Sequence, residues 1–337
     1  MRRSRQLLPL LATTLLSLLP AVASAAEPAQ AEIVSVQKIW DQGKHNAFTD
    51  LIWKDGEWFC VFREGDGHVS PNGALRVLSS KDGKSWASAA LITATDSDLR
   101  DAKICIAPGN RLMLCGAGAL HKPVDGLKHQ SYVWYSEDGR KWGDAIPVGD
   151  LGYWLWRVTW QGDVAYSVGY GTGSNRTTRL YRSLDGRKFE TLVPELVGEG
   201  YPNESSLLFQ KDGTGLCLLR RDDKEAPNAM LGTATAPYDK WSFKTLDTRI
   251  GGPQLIDLPD GRVVVSGRDY VGKAKTSVWF LNPKTGKLDM TATLPSGGDT
   301  SYPGLVFRDG LLWVSYYSSH EGKTSIYLAK LKLPEKS

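Results

Sequence analysis

Cysteine is scarce in this sequence: four residues in 337. Cys60 and Cys217 fall mid-strand in equivalent repeat positions among apolar neighbours, and Cys105 and Cys115 flank one turn. Buried thiols are the expectation, with a Cys105–Cys115 bridge the alternative in an oxidising compartment. The five histidines (45, 68, 121, 129 and 320) show no metal-ligand spacing, and neither His-Glu-x-x-His nor Cys-x-x-Cys occurs. No catalytic metal and no cofactor are expected. The lack of a Gly-x-Ser-x-Gly elbow argues against a serine hydrolase. The lack of a basic run or stripe argues against nucleic acid as a partner. No stretch of twelve residues keeps a helical period, and no Pro/Ser-rich linker or charge run divides the chain.

The one long apolar stretch, Leu7 to Ala21, is broken by Pro9 and Pro20 and is short for a membrane span. With Arg2, Arg3 and Arg5 before it and Ala23-Ser24-Ala25 after it, residues 1–25 read as a secretory signal peptide. A secreted or periplasmic protein is expected. Removing the leader leaves 38 basic against 37 acidic residues, so net charge says little about partners. Residues 26–337 read as one domain.

What is present is a repeat. Six short polar or aromatic patches run into an apolar strand, a tight turn and a second strand. They begin at Ala47, Leu99, Trp154, Pro202, Gly252 and Ser301, at gaps of 52, 55, 48, 50 and 49 residues. That period, all strand and turn, predicts a six-bladed β-propeller of four-stranded antiparallel blades. The first hairpin turn recurs as KDGEW, APGNR, QGDV, KDGTG, PDGRV and RDGLL, suited to tight turns. A second motif closes the third strand of the early blades: Ser80-Lys-Asp82-Gly83-Lys-Ser-Trp86, Ser136-Glu-Asp138-Gly139-Arg-Lys-Trp142 and Ser183-Leu-Asp185-Gly186-Arg-Lys-Phe189. Its Ser and Asp suit bonds to turn N–H groups, a structural role. The sixth repeat lacks a fourth strand, and EIVSVQKIW (32–40) is unassigned; pairing the two ends would close the ring.

A propeller brings the starts of its inner strands to one mouth of a central channel. Counting from the hairpin turns, one entrance position holds Phe48, Asp101, Leu155, Glu204, Gly252 and Tyr302. A second register, seven residues past the turn glycine, holds Arg63, Arg220, Arg268 and Tyr317. Convergent arginines suit a carboxylate through charge-assisted hydrogen bonds. A Tyr hydroxyl is a poor nucleophile at a pKa near 10, but a neighbouring Glu can take its proton. That pairing makes sense when the substrate carries a carboxylate beside the reacting carbon, because a phenol avoids charge repulsion. Trp154, Trp156 and Arg157 sit at the third entrance, where aromatics suit either sugar stacking or core packing.

In these residues the chain resembles the sialidase (neuraminidase) superfamily, over most of residues 26–337. The Ser-x-Asp-Gly-x-x-Trp copies look like that family's Asp-boxes, one residue shorter than the common form. Asn203-Glu204-Ser205-Ser206 followed by Arg220 resembles its activating Glu and second arginine, Arg268 its third, and Ser301-Tyr302-Pro303-Gly304-Leu305 its nucleophile segment. The family's first arginine lies in an Arg-Ile-Pro motif; here that segment reads Asn46-Ala47-Phe48-Thr49-Asp50, and Arg63 is the substitute. Asp66 stands nearest the family's acid, with Asp101 as substrate contact or alternative acid. The resemblance implies an exported retaining glycosidase that releases a terminal acidic sugar, sialic acid or a related keto-sugar. In it Tyr302 is the nucleophile, Glu204 its base, Asp66 or Asp101 the acid, and Arg63, Arg220 and Arg268 hold the carboxylate, with Arg157, Trp154 and Trp156 as further substrate contacts. The rivals are a non-catalytic glycan-binding propeller and a hydrolase or lyase for a uronate-containing glycan.

Overall fold

Alternating apolar residues and Gly-containing turns fold into six four-stranded antiparallel sheets, in a computed structural model that describes residues 29–336. The leader lies outside the described residues. Each sheet is a blade, and the blades form a six-bladed β-propeller with no helix among the described residues. The inner strands are His45–Lys54, Ser97–Ala107, Tyr153–Gln161, Pro202–Phe209, Ile250–Asp257 and Thr300–Arg308. In five blades the next three strands follow in sequence order. Blade six takes its outer strand from the N-terminal segment: Glu32–Trp40 pairs antiparallel with Ser325–Lys332, from Glu32 opposite Lys332 to Trp40 opposite Ile326. The ring is therefore closed by main-chain hydrogen bonds between the two ends of the described chain, and Ser325–Lys332 is not left as an edge strand.

Local chemistry accounts for the hairpins. Asp55 and Gly56 hold φ of 49° and 86°, and Asp309 and Gly310 hold 51° and 75°, the positive pair that a tight hairpin turn needs. The Ser-x-Asp-Gly turns are alike in three blades. Asp138 Oδ1 accepts from the N–H groups of Arg140 and Lys141, and Ser136 Oγ accepts from Gly139 N. Asp82 with Ser80, and Asp185 with Ser183, repeat the pattern. The core is distributed between neighbouring blades; Trp58 of blade one meets Trp313 of blade six at 4.2 Å between ring centroids. All four cysteines are free, and Cys105 and Cys115 stand opposite Met113 and Lys103 rather than each other.

Every inner strand breaks register once, at the same height. The breaks fall between Ala47 and Asp50, Arg100 and Lys103, Leu155 and Val158, Pro202 and Ser205, Gly251 and Gln254, and Ser301 and Gly304. Each is a β-bulge that re-aims its residues at the mouth. The first bulge residues are Phe48, Asp101, Trp156, Asn203, Gly252 and Tyr302. The register counted from the turns is thus corrected in blades three and four: Trp156 replaces Leu155 and Asn203 replaces Glu204. The stretch from turn to bulge varies by one residue between blades, which counting from the turn cannot detect. Four of the six hold positive φ: Phe48 65°, Asp101 54°, Gly252 55° and Tyr302 51°.

Candidate functional site at the channel mouth

Glu204 is the second bulge residue of blade four, and its carboxylate is fully engaged. Oε1 accepts from the Tyr302 hydroxyl at 2.6 Å. Oε2 accepts from Arg220 Nη1 at 2.7 Å and from the Gly252 main-chain N–H at 2.8 Å. Arg220 Nη1 also donates to the Tyr302 hydroxyl at 2.9 Å. Residues 16, 82 and 98 positions apart therefore form one triangle of phenol, carboxylate and guanidinium. Burial first, and the Glu204 charge second, push the Tyr302 hydroxyl well above its ordinary pKa, against Arg220 and Arg268. At rest Tyr302 is a neutral phenol whose proton already points at an acceptor.

A second phenol–carboxylate couple stands beside the first. The Tyr317 hydroxyl donates to Asp299 Oδ1 at 2.6 Å. Arg268 donates through Nη2 to the Tyr317 hydroxyl at 2.9 Å and through Nε to Thr300 O at 2.9 Å. Its guanidinium also lies 5.3 Å from the Tyr302 ring centroid. Burial would raise Asp299, but hydrogen bonds from His45, His68 and Tyr317 outweigh it and hold the carboxyl well below the usual range. Phe48 packs edge-on against Tyr302 at 5.0 Å and Tyr317 at 5.3 Å.

Asp101 makes no side-chain hydrogen bond among the described residues. Burial pushes its carboxyl up to about 6, with the Glu204 charge adding to the rise and Lys103 opposing it. Lys103 is brought down to about 8, by burial first and then by Arg157. Its ammonium donates to Thr49 O at 3.0 Å and lies 5.1 Å from the Trp156 ring.

The structure gathers Tyr302, Glu204, Arg220, Arg268 and Asp101, and sets other expected residues apart. Arg63 is fully buried; it bonds Asp98 at 2.8 Å and the carbonyls of Gly67 and Ser70, and so ties down the loop 66–72 instead of offering a cation to the mouth. Asp66 is half-exposed and paired with Lys44 at 3.1 Å. Arg157 reaches across the channel to Asp50 at 2.6 Å. Trp154 is buried and stacked on Tyr170 at 6.1 Å; Trp156 is buried against Tyr302 at 5.7 Å. Both are walls rather than exposed stacking platforms. The arginines are also not register-equivalent. Arg63 and Arg268 stand opposite Ala47 and Gly251, but Arg221 stands opposite Pro202, and Arg220 faces the bulge. In blade four five paired residues, 205–209, separate the bulge from the loop, against four, 254–257, in blade five, so the count slips by one.

Counting missed Asp222, Asp299, Lys103, Tyr170, His45 and His68. Asp222 takes Arg220 through Nε and Nη2 at 3.1 and 3.0 Å, and Arg249 at 3.2 Å. Their only sequence signal was nearness to a bulge or to a named arginine.

No family model matches the sequence, and no curated protein matches it. Solved structures do. A protein of unknown function from Dyadobacter fermentans is 21% identical, with a TM-score of 0.80 over 90% of this chain and 99% of that one. An α-L-arabinofuranosidase from Fusarium graminearum is 13% identical, with a TM-score of 0.70 over 89% and 98%. A sialidase from Trypanosoma rangeli, in complex with the inhibitor DANA, is 11% identical, with a TM-score of 0.67 over 86% of this chain and 55% of that one. At these identities the likeness is one of fold.

Proposed function

We propose that this propeller is a retaining exo-glycosidase that works at the channel mouth. The observation that carries the reading is the Tyr302 hydroxyl 2.6 Å from Glu204, with Arg220 bonded to both. Two of the structural neighbours are glycosidases by name, which agrees with it. Tyr302 attacks the anomeric carbon as Glu204 takes the phenol proton, and Arg220 steadies the developing negative charge. Asp101, carrying a proton at weakly acidic pH, gives it to the leaving oxygen. Once ionised, Asp101 takes a proton from water, which attacks the anomeric carbon and releases the tyrosine. The phenol then recovers its proton from Glu204. Tyrosine nucleophiles are a recognised exception to the two-carboxylate pattern.

The substrate in this reading is a terminal acidic sugar, because a neutral phenol meets a neighbouring carboxylate without repulsion. Arg268 Nη1, which has no partner among the described residues, is the donor for that carboxylate. Export through residues 1–25 belongs to the same proposal. A second reading, a neutral sugar, is favoured by one observation: Arg220 is already matched by Glu204 and Asp222, and Arg268 by Asp299. Aryl ketosides of acidic sugars and aryl α-L-arabinofuranosides, assayed side by side, separate the two. In either case Tyr302→Phe should lower kcat at least about 100-fold with unchanged thermal stability, a change of about 3 kcal/mol in barrier. A Phe variant with full turnover ends the mechanism.

A further inference from the structure

We propose that His45, His68 and Asp299 form a binding site for a divalent transition-metal ion at the channel mouth, one aromatic ring away from the Tyr302–Glu204 couple. The inference does not depend on the glycosidase reading. His45 opens the inner strand of blade one, His68 lies in the loop after that blade's second strand, and Asp299 directly precedes the inner strand of blade six. No sequence spacing connects them; closure of the ring does.

His45 Nε2 lies 3.1 Å from Asp299 Oδ2, and His68 Nδ1 lies 2.8 Å from the same oxygen. All three ligand atoms fall within 4.8 Å of one another. An ion with bonds of about 2.1 Å to neighbouring ligands at right angles sets those ligands about 3.0 Å apart. The two separations already match edges of such a coordination shell. Two imidazoles and one carboxylate suit zinc, iron(II) or manganese(II) rather than calcium or magnesium, which prefer all-oxygen cages.

The surroundings are graded as an open site requires. The His45 side chain is 12% exposed, Asp299 29% and His68 54%, so the unfilled positions lie toward solvent, where oxygen donors of a ligand can enter. Asp299 is supported by its neighbours, whereas His45 Nδ1 is buried without a hydrogen-bond partner among the described residues. Asp299 Oδ1 accepts from Tyr317 at 2.6 Å and lies 3.4 Å from Arg268 Nη2, which fixes the carboxylate plane. Phe48 packs edge-on against the His68 ring at 5.0 Å and lies 6.5 Å from the His45 ring. Among the described residues Arg268 is the one arginine or lysine touching the cluster, and one carboxylate only partly neutralises a divalent ion. Binding is therefore expected in the micromolar range.

The competing account is a hydrogen-bonded cluster, which requires protons on His45 Nε2 and His68 Nδ1. Metal binding requires that both positions be free of them. Chelator-stripped full-length protein should be titrated with Zn²⁺ and Mn²⁺ by calorimetry, and with Co²⁺ by visible absorption. The expected result is one ion per chain and a ligand-field band for Co²⁺. His68→Ala, in a half-exposed loop, and Asp299→Asn should each weaken Zn²⁺ binding at least about 100-fold, more than the 10–100-fold typical of lost outer-shell partners. His121→Ala, outside the cluster, should leave binding unchanged. No saturable binding up to millimolar Zn²⁺, or binding that His68→Ala leaves intact in a folded protein, overturns the proposal.

Discussion

Arg63 and Arg220 both lie on the second strand of their blades, yet their surroundings give them different chemistry. Arg63 has no exposure and spends its donors on Asp98, Ser70 and Gly67. Removing one partner of a buried pair leaves the other charge uncompensated. Arg63→Ala should therefore cost about 3 kcal/mol in denaturant unfolding, with Arg100 limiting the loss through its own 2.6 Å bridge to Asp98. KM of the folded fraction should not move; a selective rise in KM would return Arg63 to substrate binding. Asp101 titrates the other way from a paired carboxylate. Its native pKa near 6 lies above the ordinary 3.8, so the folded state holds the proton more tightly. Stability falls as pH rises through that window and stays lower above it. Asp101→Asn should gain about 1–3 kcal/mol at pH 8 and little at pH 4, read from denaturant midpoints at both. In the wild-type protein kcat/KM should fall above about pH 6 as the acid loses its proton.

At the scale of elements, the recurring device is the bulge. Non-glycine residues at positive φ cost of order 1–3 kcal/mol each, and persist where the surrounding structure over-determines them. Phe48, Asp101 and Tyr302 share that conformation at one mouth, which ties the strain to the site. Gly252 shows what the bulges permit. Its N–H bonds Glu204, and a Cβ there would lie 2.7–2.9 Å from the Tyr302 ring. Gly252→Ala should push the ring off Glu204 and lower kcat at least about tenfold, about 1.4 kcal/mol in barrier, with a changed near-ultraviolet tyrosine signal. Unchanged turnover and an unchanged signal would show that the ring has room to spare. The Asp-Gly turns and Ser-x-Asp-Gly turns were legible in the sequence because each closes within a few residues. The bulges were not, because a bulge is defined by the partner strand.

At the scale of the molecule, the closing strand decides whether there is a ring. Without Glu32–Trp40, Ser325–Lys332 would present a bare edge whose Leu328 and Ala329 are now buried. A chain beginning at residue 42 should aggregate and melt well below the full-length protein, followed by light scattering on size exclusion and by thermal unfolding. A monodisperse truncated protein of equal stability would show that the sixth blade needs no fourth strand.

Six blades, their turns and the closing strand were set by local pattern: alternation, turn glycines and a period near fifty residues. Tyr302, Glu204, Arg220, Arg268 and Asp101 were likewise visible as residue types near the entrance. Only the tertiary structure decided that Arg63 is sealed against Asp98, that Trp154 faces inward, and that Asp299 gathers two histidines from the other side of the ring seam. Those facts depend on which side of a strand a residue faces and on contacts across hundreds of residues. A one-residue bulge changes the first, and ring closure alone creates the second.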